Sequence, residues 1–316
     1  MRAAKGACSR VASACSSELA SNKSVCGKES FNYSVFFWMV RWLGFSKMKE
    51  ETKSKEMPVA MTIAGSDSGG GAGIQADLAT FSALGVFGTS VITALTAQNP
   101  DGVSLVENTS LEMVEAQLCQ VMDFFPVKAA KTGMLPNAEC VEMLANLLEP
   151  YASDENFSLV VDPVMVATSG SQLAGSGVVE AFRNHLFLIA DLVTPNVVEA
   201  EVLLGWCPGT YDDLEKAGLE LVAQYGASFL LKGGHLEGEV AVDVLVEESG
   251  RVTQFTSPRI EGVNSHGSGC SLAAGIAAGL AKGEGLEQAI TNARSFLQKG
   301  FREPLEIGGV KYLRRN

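Results

Sequence analysis

Short apolar runs alternate with amphipathic stretches along the chain after residue 57. The runs are rich in β-branched residues and are bounded by glycine and polar residues, so we predict that they are strands. The stretches between them place apolar side chains three and four residues apart, which predicts helices that pack by one face. The predicted strands are Val59–Ala64, Gly88–Thr96, Ala129–Thr132, Ser158–Asp162, Leu188–Thr194, Phe229–Lys232, Val240–Val246 and Val252–Thr256. The predicted helices are Ile74–Leu84, Leu111–Phe124, Glu139–Leu148, Gly177–Leu186, Val197–Leu204, Asp212–Tyr225, Ser271–Lys282 and Leu286–Lys299.

This alternation is typical of an α/β fold. Strands that alternate with helices of about 10–15 residues form βαβ units, which predict a mostly parallel central sheet covered by helices on both faces. The last two predicted strands, separated by Glu248–Gly250, predict an antiparallel hairpin near one edge of the sheet. No internal repeat or proline-rich linker divides residues 57–316, so we expect a single domain there.

The charge balance excludes some classes of partner. The chain has 36 acidic and 24 basic residues, a formal net charge of −12. This argues against a nucleic-acid partner, because binding to a phosphate backbone needs a basic surface. No apolar run approaches the roughly 20 residues that span a bilayer, so we expect no membrane partner either. The charge is uneven: residues 1–56 carry 10 basic and 5 acidic side chains, whereas residues 57–316 carry 14 and 31.

Residues 1–56 therefore predict a basic leader without fixed structure in front of an acidic domain. Their many Ser, Ala and Cys residues are typical of an organellar transit peptide, which would place the protein in a plastid or mitochondrion. The alternative is a start codon assigned too far upstream of Met48 or Met57, which favours a cytoplasmic protein and is the interpretation we prefer. The cysteines form no CxxC pair, which argues against a zinc cluster.

Unusual polar and glycine clusters follow nearly every predicted strand. In an open α/β sheet, ligands bind beyond the carboxyl ends of the strands, so these clusters together predict one binding site at that edge. The clusters are Gly65–Gly73, Gln98–Asn99, Lys131–Met134, Asp162–Met165, Thr194–Asn196, Lys232–His235 and Asn264–Cys270.

The first cluster, Gly65–Gly73 (GSDSGGGAG), matches neither the Rossmann nor the Walker pattern. One interpretation is a loop whose backbone closely approaches a small ligand, with Asp67 and Asp77 near it. The other is a tight turn capped by Asp67. Consecutive glycines cost backbone entropy on folding, which favours the ligand.

The last cluster, Asn264–Cys270 (NSHGSGC), precedes an alanine-rich helix. The backbone amides of Gly267, Ser268, Gly269 and Cys270 would then lie at a helix N-terminus, which favours an anion such as phosphate. We predict that this position lowers the pKa of the Cys270 thiol, so that a thiolate can serve as base or nucleophile. The alternative is a glycine-rich cap with a buried cysteine, and these residues alone do not favour either.

Further candidates lie at the neighbouring strand ends. Lys232 ends an apolar strand, and with an anion site on the same edge a phosphate contact is favoured over a solvated strand end. Asn196 and Glu199 have helix-start spacing and could hold a Mg²⁺–phosphate or cap the helix. His235 and His266 lie in strand-end loops and could contact substrate.

Seven blocks, in order and at the right spacing, resemble the hydroxymethylpyrimidine/phosphomethylpyrimidine kinases of thiamin biosynthesis. The resemblance extends from Met57 to about Lys299 and implies a ribokinase-like fold. It also implies Mg²⁺-assisted transfer of the ATP γ-phosphate to 4-amino-5-hydroxymethyl-2-methylpyrimidine and then to its monophosphate. The blocks are Thr62–Gly85, Ile92–Pro100, Lys131–Leu135, Val161–Met165, Thr194–Ala200, Leu231–His235 and His266–Gly283.

The resemblance also implies roles for single residues. Gln98 would hydrogen-bond the aminopyrimidine, and Met134 would pack on its ring. The substrate-binding set is then Gln98, Met134, Gly65, Asp67, Ala72, Asp77 and Val164. The residues implied for ATP and Mg²⁺ are Lys232, Asn196, Glu199 and Asp162, with the ion near Glu199 and no dedicated all-protein metal site. The residues implied for catalysis are Cys270, Lys232, Gly267, Ser268 and Gly269.

Two other functions fit the same fold. A pyridoxal kinase of the same superfamily is the nearer, and Gln98 argues against it because the cysteine-type relatives tend to lack a glutamine there. A non-catalytic pyrimidine-binding regulator is the other, and an intact Lys232 and Gly267–Cys270 block argues against it, since a sensor has no use for an anion site. In each case the partners are small molecules, and we expect a homo-oligomer.

Overall fold

A nine-stranded sheet forms the centre of the fold in this computed structural model, which describes residues 56–165, 177–234, 236 and 238–316. Its strands are β1 (Val59–Asp67), β2 (Phe87–Asn99), β3 (Gly102–Asn108), β4 (Val127–Thr132), β5 (Ser158–Val161), β6 (Leu192–Val193), β7 (Ser228–Lys232), β8 (Val240–Val246) and β9 (Val252–Pro258). A separate two-stranded sheet pairs β10 (Leu305–Ile307) with β11 (Val310–Tyr312).

The strand order is β3-β2-β1-β4-β5-β6-β7-β8-β9. The six strands from β2 to β7 in this order pair in parallel, while β3 pairs antiparallel with β2 at one edge. At the other edge β8 and β9 form the predicted antiparallel hairpin. The prediction of a mostly parallel α/β sheet is therefore confirmed, and the carboxyl ends of the parallel strands share one edge.

Helices cover both faces of the sheet, as predicted. They are α1 (Gly73–Ala83), α2 (Leu111–Phe124), α3 (Ala138–Ala152), α4 (Val178–Ala181), α5 (Val197–Leu204), α6 (Tyr211–Tyr225), α7 (Ser268–Ala281) and α8 (Leu286–Arg302). One hydrophobic core lies between the sheet and α2 to α6, and a second lies between the sheet and α1, α7 and α8. Small residues let α7 and α8 pack closely, because a Cβ on Gly275 would lie 2.9 Å from the Cβ of Ala293.

Three local features differ from the predictions. β3 was not predicted, because it lies at a sheet edge with most of its residues exposed and so lacks an apolar face. The predicted strand Leu188–Thr194 is a strand only at β6, since its first residues belong to the 3₁₀ turn Phe187–Ile189. α7 begins at Ser268 rather than at Ser271, so the glycine-rich block contributes its first turn.

Two sequence predictions lie outside the described residues. They concern the leader, of which the structure describes the last residue, Glu56, alone, and the contact of His235 with substrate. Within the part of the chain that the structure describes, no helix is both long enough and apolar enough to cross a membrane.

Candidate active site

A cleft of about 280 Å³ lies at the edge of the sheet where the parallel strands end. Each of the seven predicted clusters supplies residues to its lining, because parallel strands bring their carboxyl ends to one edge. Of the described residues that the sequence assigned to the site, Asp77 alone does not reach this lining. The separate clusters therefore form one continuous site.

The glycine loop after β1 is held by Asp67, whose side chain is buried. Its carboxylate accepts hydrogen bonds from the backbone amides of Gly69 (2.8 Å), Gly71 (3.1 Å) and Ala72 (2.8 Å). Burial would raise the pKa of Asp67, but the bonds from His266 and from the loop amides outweigh it and lower the pKa. Asp67 therefore shapes the loop as a cap, and its substrate contact stays a prediction.

One end of the cleft combines a thioether with an amide. Met134 lines it, and a Cβ on Gly65 would lie 2.9 Å from the Met134 Sδ, so glycine makes room for that side chain. The Gln98 Nε2 lies 3.4 Å from the His266 Nε2, which in turn lies 3.0 Å from the Asp67 Oδ2. Thr96 donates to the Gln98 Oε1 (3.1 Å). This end can accept a flat ring and hydrogen-bond its edge.

Asp77 lies beneath the cleft, fully buried, rather than in its lining. Its Oδ2 accepts from Lys131 Nζ (2.9 Å) and from Thr62 Oγ1 (2.6 Å). Burial would lower the pKa of Lys131, but the Asp77 carboxylate outweighs it and raises the pKa, so the ammonium stays charged. Asp77 therefore holds Lys131, which does reach the cleft, and the contact of Asp77 with substrate stays a prediction.

The anion site lies where the loop after β9 turns into α7. Gly267 is the N-cap residue and has a left-handed backbone, with φ of +74°. A Cβ there would overlap the carbonyl oxygen of Gly71, so a glycine is required. The amide of Ser268 donates to the Ser265 carbonyl (2.9 Å), which removes it from the predicted donors. Gly269 and Cys270 lie in the first helical turn, where backbone amides have no partner within the helix.

Lys232 brings a positive charge to this helix N-terminus. A Cβ on Gly269 would lie 3.4 Å from the Lys232 Nζ, so the ammonium lies against the first turn of α7. The same Nζ donates to the Asp162 Oδ1 (2.7 Å) and lies 3.9 Å from the Glu199 Oε2. Burial would lower the pKa of Lys232, but Asp162 and Glu199 outweigh it and raise the pKa. A charged lysine beside a helix N-terminus can bind phosphate oxygens.

Asn196 and Glu199 cap α5. The Asn196 Oδ1 accepts from the Glu199 amide (2.9 Å), and the Glu199 Oε2 accepts from the Asn196 amide (2.8 Å), which is a complete capping box. Both residues also line the cleft. Burial raises the pKa of Glu199 to about 7, although the Lys232 ammonium lowers it. Asn196 and Glu199 can therefore cap the helix and still face a ligand in the cleft, so the two interpretations of this pair do not exclude each other.

The environment of Cys270 corrects a sequence prediction. Burial raises the pKa of its thiol, and the carboxylates of Asp77 and Asp162 raise it further. Lys131 and the Gly73 amide lower it, but the net pKa lies above the ordinary value rather than below. The helix N-terminus is therefore outweighed by desolvation, and the thiol keeps its proton in the resting protein.

The other end of the cleft was not predicted. Apolar side chains of α7 and α8 line it together with Gln298, whose buried Oε1 has no hydrogen-bond partner. An apolar slot of this kind fits a flat heterocycle such as adenine. The apolar lining residues are Leu272, Leu297 and Phe301. The sequence offered only an amphipathic helix here, without a signal for a site.

Within the described residues, no group of three or more His, Cys, Asp and Glu side chains could hold a metal ion. The carboxylates of Asp162 and Glu199 do both line the cleft, 2.7 and 3.9 Å from the Lys232 Nζ. Mg²⁺ takes one or two carboxylates when phosphate oxygens and water supply its other ligands. These residues therefore fit a Mg²⁺ ion that arrives with a nucleotide.

The cleft can hold an acceptor at one end and a nucleotide at the other, with a helix N-terminus and a charged lysine between them to bind phosphate. This arrangement is that of a small-molecule kinase of the α/β class. The chain belongs to the phosphomethylpyrimidine kinase family, whose model matches residues 67–313.

Individual relatives support this assignment. The chain is 46% identical over 254 residues to a hydroxymethylpyrimidine/phosphomethylpyrimidine kinase of Rhizobium meliloti, covering 79% of this chain and 93% of the relative. Its fold is similar to that of Bacillus subtilis pyridoxal kinase in an ADP complex, with a TM-score of 0.74, 34% identity, and coverage of 82% and 97%. Clostridium difficile phosphomethylpyrimidine kinase gives a TM-score of 0.67 at 37% identity, with coverage of 77% and 98%. The predicted ribokinase-like fold is confirmed by these structures.

Proposed function

We propose that this protein phosphorylates 4-amino-5-hydroxymethyl-2-methylpyrimidine and then its monophosphate, with ATP as donor, in thiamin biosynthesis. The observation that carries the proposal is the position of the anion site. Cys270, Lys232 and the first turn of α7 line the same cleft as the Gln98 and Met134 end and the apolar slot. An acceptor at the first end and a nucleotide in the slot would thus meet at a positively charged helix N-terminus.

Phosphoryl transfer depends mainly on positioning and on stabilising the transferred charge. We propose that the amides of Gly267, Gly269 and Cys270 bind the transferred phosphoryl group, while Lys232 neutralises charge on the ATP phosphates. Ser268 belongs to the same turn, but its amide donates to the Ser265 carbonyl and does not bind phosphate. The acceptor oxygen then forms a bond to the γ-phosphorus as the bond to ADP breaks.

For the hydroxymethyl acceptor, the hydroxyl proton must leave as the oxygen attacks. We propose that Cys270 accepts it as a thiolate and becomes a thiol, and that Lys131, held by Asp77, stabilises the thiolate before this transfer. The monophosphate acceptor already carries an ionised oxygen, so it needs little help from a base. One cysteine can therefore serve both steps.

At the substrate end we propose that Gln98 pairs with the aminopyrimidine edge, since an amide can both donate and accept. Met134 and Val164 pack on the ring, and Gly65, Asp67 and Ala72 line the same end of the cleft. The opposite, apolar slot, lined by Leu272, Leu297 and Phe301, takes the adenine. When bound, Mg²⁺ would neutralise phosphate charge, held near Glu199 and Asp162 beside the Asn196 cap.

A pyridoxal kinase is the second candidate, because the chain resembles the B. subtilis pyridoxal kinase at a TM-score of 0.74. A coupled assay of ADP release with hydroxymethylpyrimidine, its monophosphate and pyridoxal as competing acceptors separates the two. We expect kcat/KM for pyridoxal to be lower than for the pyrimidine by about tenfold or more, because the half-buried Gln98 amide would lose its partner. A preference for pyridoxal would overturn the proposal.

Replacing Glu199 with glutamine tests the Mg²⁺ proposal. Glutamine can keep the capping bond to the Asn196 amide but removes the charge, so Glu199→Gln should raise the Mg²⁺ concentration for half-maximal rate by about tenfold or more. Glu201→Gln on the exposed side of α5 is the matched control and should leave it unchanged. An identical Mg²⁺ requirement in the Glu199 variant would remove that residue from the ion site.

The oligomeric state and the compartment stay predictions. A homo-oligomer would bury the exposed apolar side chains of β2 and β3, among them Leu95, Leu105 and Val106. Sedimentation of the purified protein measures the oligomeric state. The mass of the native N-terminus decides between a cleaved transit peptide, which would indicate a plastid or mitochondrion, and a later start in the cytoplasm.

A further inference from the structure

Arg315, which follows β11, lies behind the anion site rather than in the cleft lining. Its Nη2 donates to the carbonyl oxygens of Gly71 (2.6 Å) and His266 (3.3 Å), and its Nε donates to the Ser271 Oγ (2.7 Å). These acceptors belong to the glycine loop, to the loop before α7 and to the first turn of α7. One guanidinium group thus joins the two loops that carry the predicted substrate and phosphate sites.

The backbone around Arg315 is fixed on the rest of the fold. The amide of Asn264 donates to the Lys311 carbonyl (2.8 Å), which ties β11 to the loop before α7. Leu313 is buried in the core formed by α7 and α8, and the Arg314 amide donates to the Gly300 carbonyl (3.3 Å). The arginine side chain is therefore presented to the loops from a rigid support.

The packing at this point is tight. A Cβ on Gly267 would overlap the Gly71 carbonyl oxygen and would lie 2.8 Å from the Arg315 Nη2. The N-cap of α7 and the glycine loop are thus in direct contact, with the guanidinium group bonded across that contact. A small displacement of Arg315 would move both loops.

The charge of Arg315 is not neutralised by a bonded carboxylate. Its hydrogen-bond acceptors are neutral oxygens, and no ion pair within the described residues includes it. Burial lowers the pKa of Arg315, although the carboxylates of Asp77 and Asp67 counter this effect in part. Its hydrogen bonds to the two loops and to Ser271 therefore have to offset the cost of desolvating this cation.

We propose that Arg315 is a positioning residue for phosphoryl transfer, which holds the glycine loop and the anion site at the separation that in-line attack needs. This inference rests on the proposed function. Arg315 does not contact the reacting groups; it acts through the carbonyl oxygens of Gly71 and His266 and through Ser271, whose Oγ donates to the Gly267 carbonyl (2.9 Å).

Arg315→Ala in the full chain tests the proposal, with Arg314→Ala as matched control. Arg314 Nε donates to the Glu303 carbonyl (2.8 Å), away from the cleft. We expect Arg315→Ala to lower kcat by about tenfold or more, short of the 10²-fold that a full 1 Å misplacement can cost, with little change in KM for ATP. Methylguanidine should restore part of the rate in this variant and none in Arg314→Ala.

Hydrogen exchange gives a readout that does not need turnover. Amides of residues 69–73 and 267–271 should exchange about tenfold faster in Arg315→Ala than in the native protein or in Arg314→Ala. If Arg315→Ala does not fold, Arg315→Lys, which keeps the charge but loses the forked donors, should show a smaller loss of kcat and faster exchange at the same amides. Unchanged exchange in these loops, or equal losses of kcat in the Arg314 and Arg315 variants, would overturn the proposal. An inactive native protein would refute the proposed function instead.

Discussion

Cys270→Ala should lower kcat for hydroxymethylpyrimidine by about 10²-fold or more, because the variant lacks a group to accept the hydroxyl proton. The rate with the monophosphate should fall much less, since its attacking oxygen is already ionised. The measurement is steady-state ADP release with each acceptor at saturating ATP. The two acceptors act as internal controls for each other, because both use the same anion site.

The pH dependence of the same rates gives an independent check. Because burial and the carboxylates of Asp77 and Asp162 raise the pKa of Cys270, the thiol loses its proton only at alkaline pH. The rate with hydroxymethylpyrimidine should therefore rise with pH above neutrality, and this rise should disappear in Cys270→Ala. Cys207→Ala, at an exposed cysteine, is the matched control and should behave as the native protein does. Equal losses with both acceptors would make Cys270 a structural residue.

Gly267→Ala should lower kcat by about 10²-fold or more with either acceptor, which is the loss typical of removing an oxyanion donor. The new Cβ would overlap the Gly71 carbonyl oxygen and push the glycine loop away from the anion site. It would also place alanine at φ of +74°, which costs roughly 1–2 kcal/mol by itself.

Gly262→Ala separates these two effects. Gly262 also has φ of +74°, but a Cβ there meets nothing within 4 Å. This control carries the same backbone strain without the steric overlap, so its kcat should stay within about threefold of the native value. Similar losses in the two variants would attribute the effect to strain, and the contact between the two loops would then have no catalytic importance.

The fold could be predicted where local signals and tertiary packing agree. α2 and α5 have the predicted bounds, because Ser110 caps the first and the Asn196–Glu199 box and Gly205 delimit the second. β3 was missed because an exposed edge strand needs no apolar face, and its place depends on pairing with β2. Where no side of an element is buried, the sequence carries little periodic signal.

The location of the site was predictable because parallel strands bring distant segments to one edge. The lengths of the runs and their terminal clusters were sufficient to identify the cleft. The direction of the Cys270 pKa shift was not predictable, since it depends on burial and on the charges of Lys131, Asp77 and Asp162, which are far apart in the chain. A helix N-terminus is visible in a sequence, whereas the desolvation that opposes it is not.

Long-range polar contacts were also beyond the sequence. Arg315 contacts Gly71 across 244 residues, and the ion pair that holds Lys131 to Asp77 spans 54. Contacts between residues so far apart in the chain leave no recognisable motif in the sequence. Asp77 was placed near the ligand because it follows the glycine loop, but on α1 it faces inward to the sheet rather than toward the cleft.

The most direct test of the account is the competition assay with its products identified. Full-length protein, excess ATP and Mg²⁺ are incubated with hydroxymethylpyrimidine and pyridoxal, and ADP and the phosphorylated products are measured by mass spectrometry. We expect a pyrimidine that carries two phosphoryl groups, with two ADP released for each pyrimidine consumed. Phosphorylation of pyridoxal alone, or tight binding of the pyrimidine without ADP release, would contradict it.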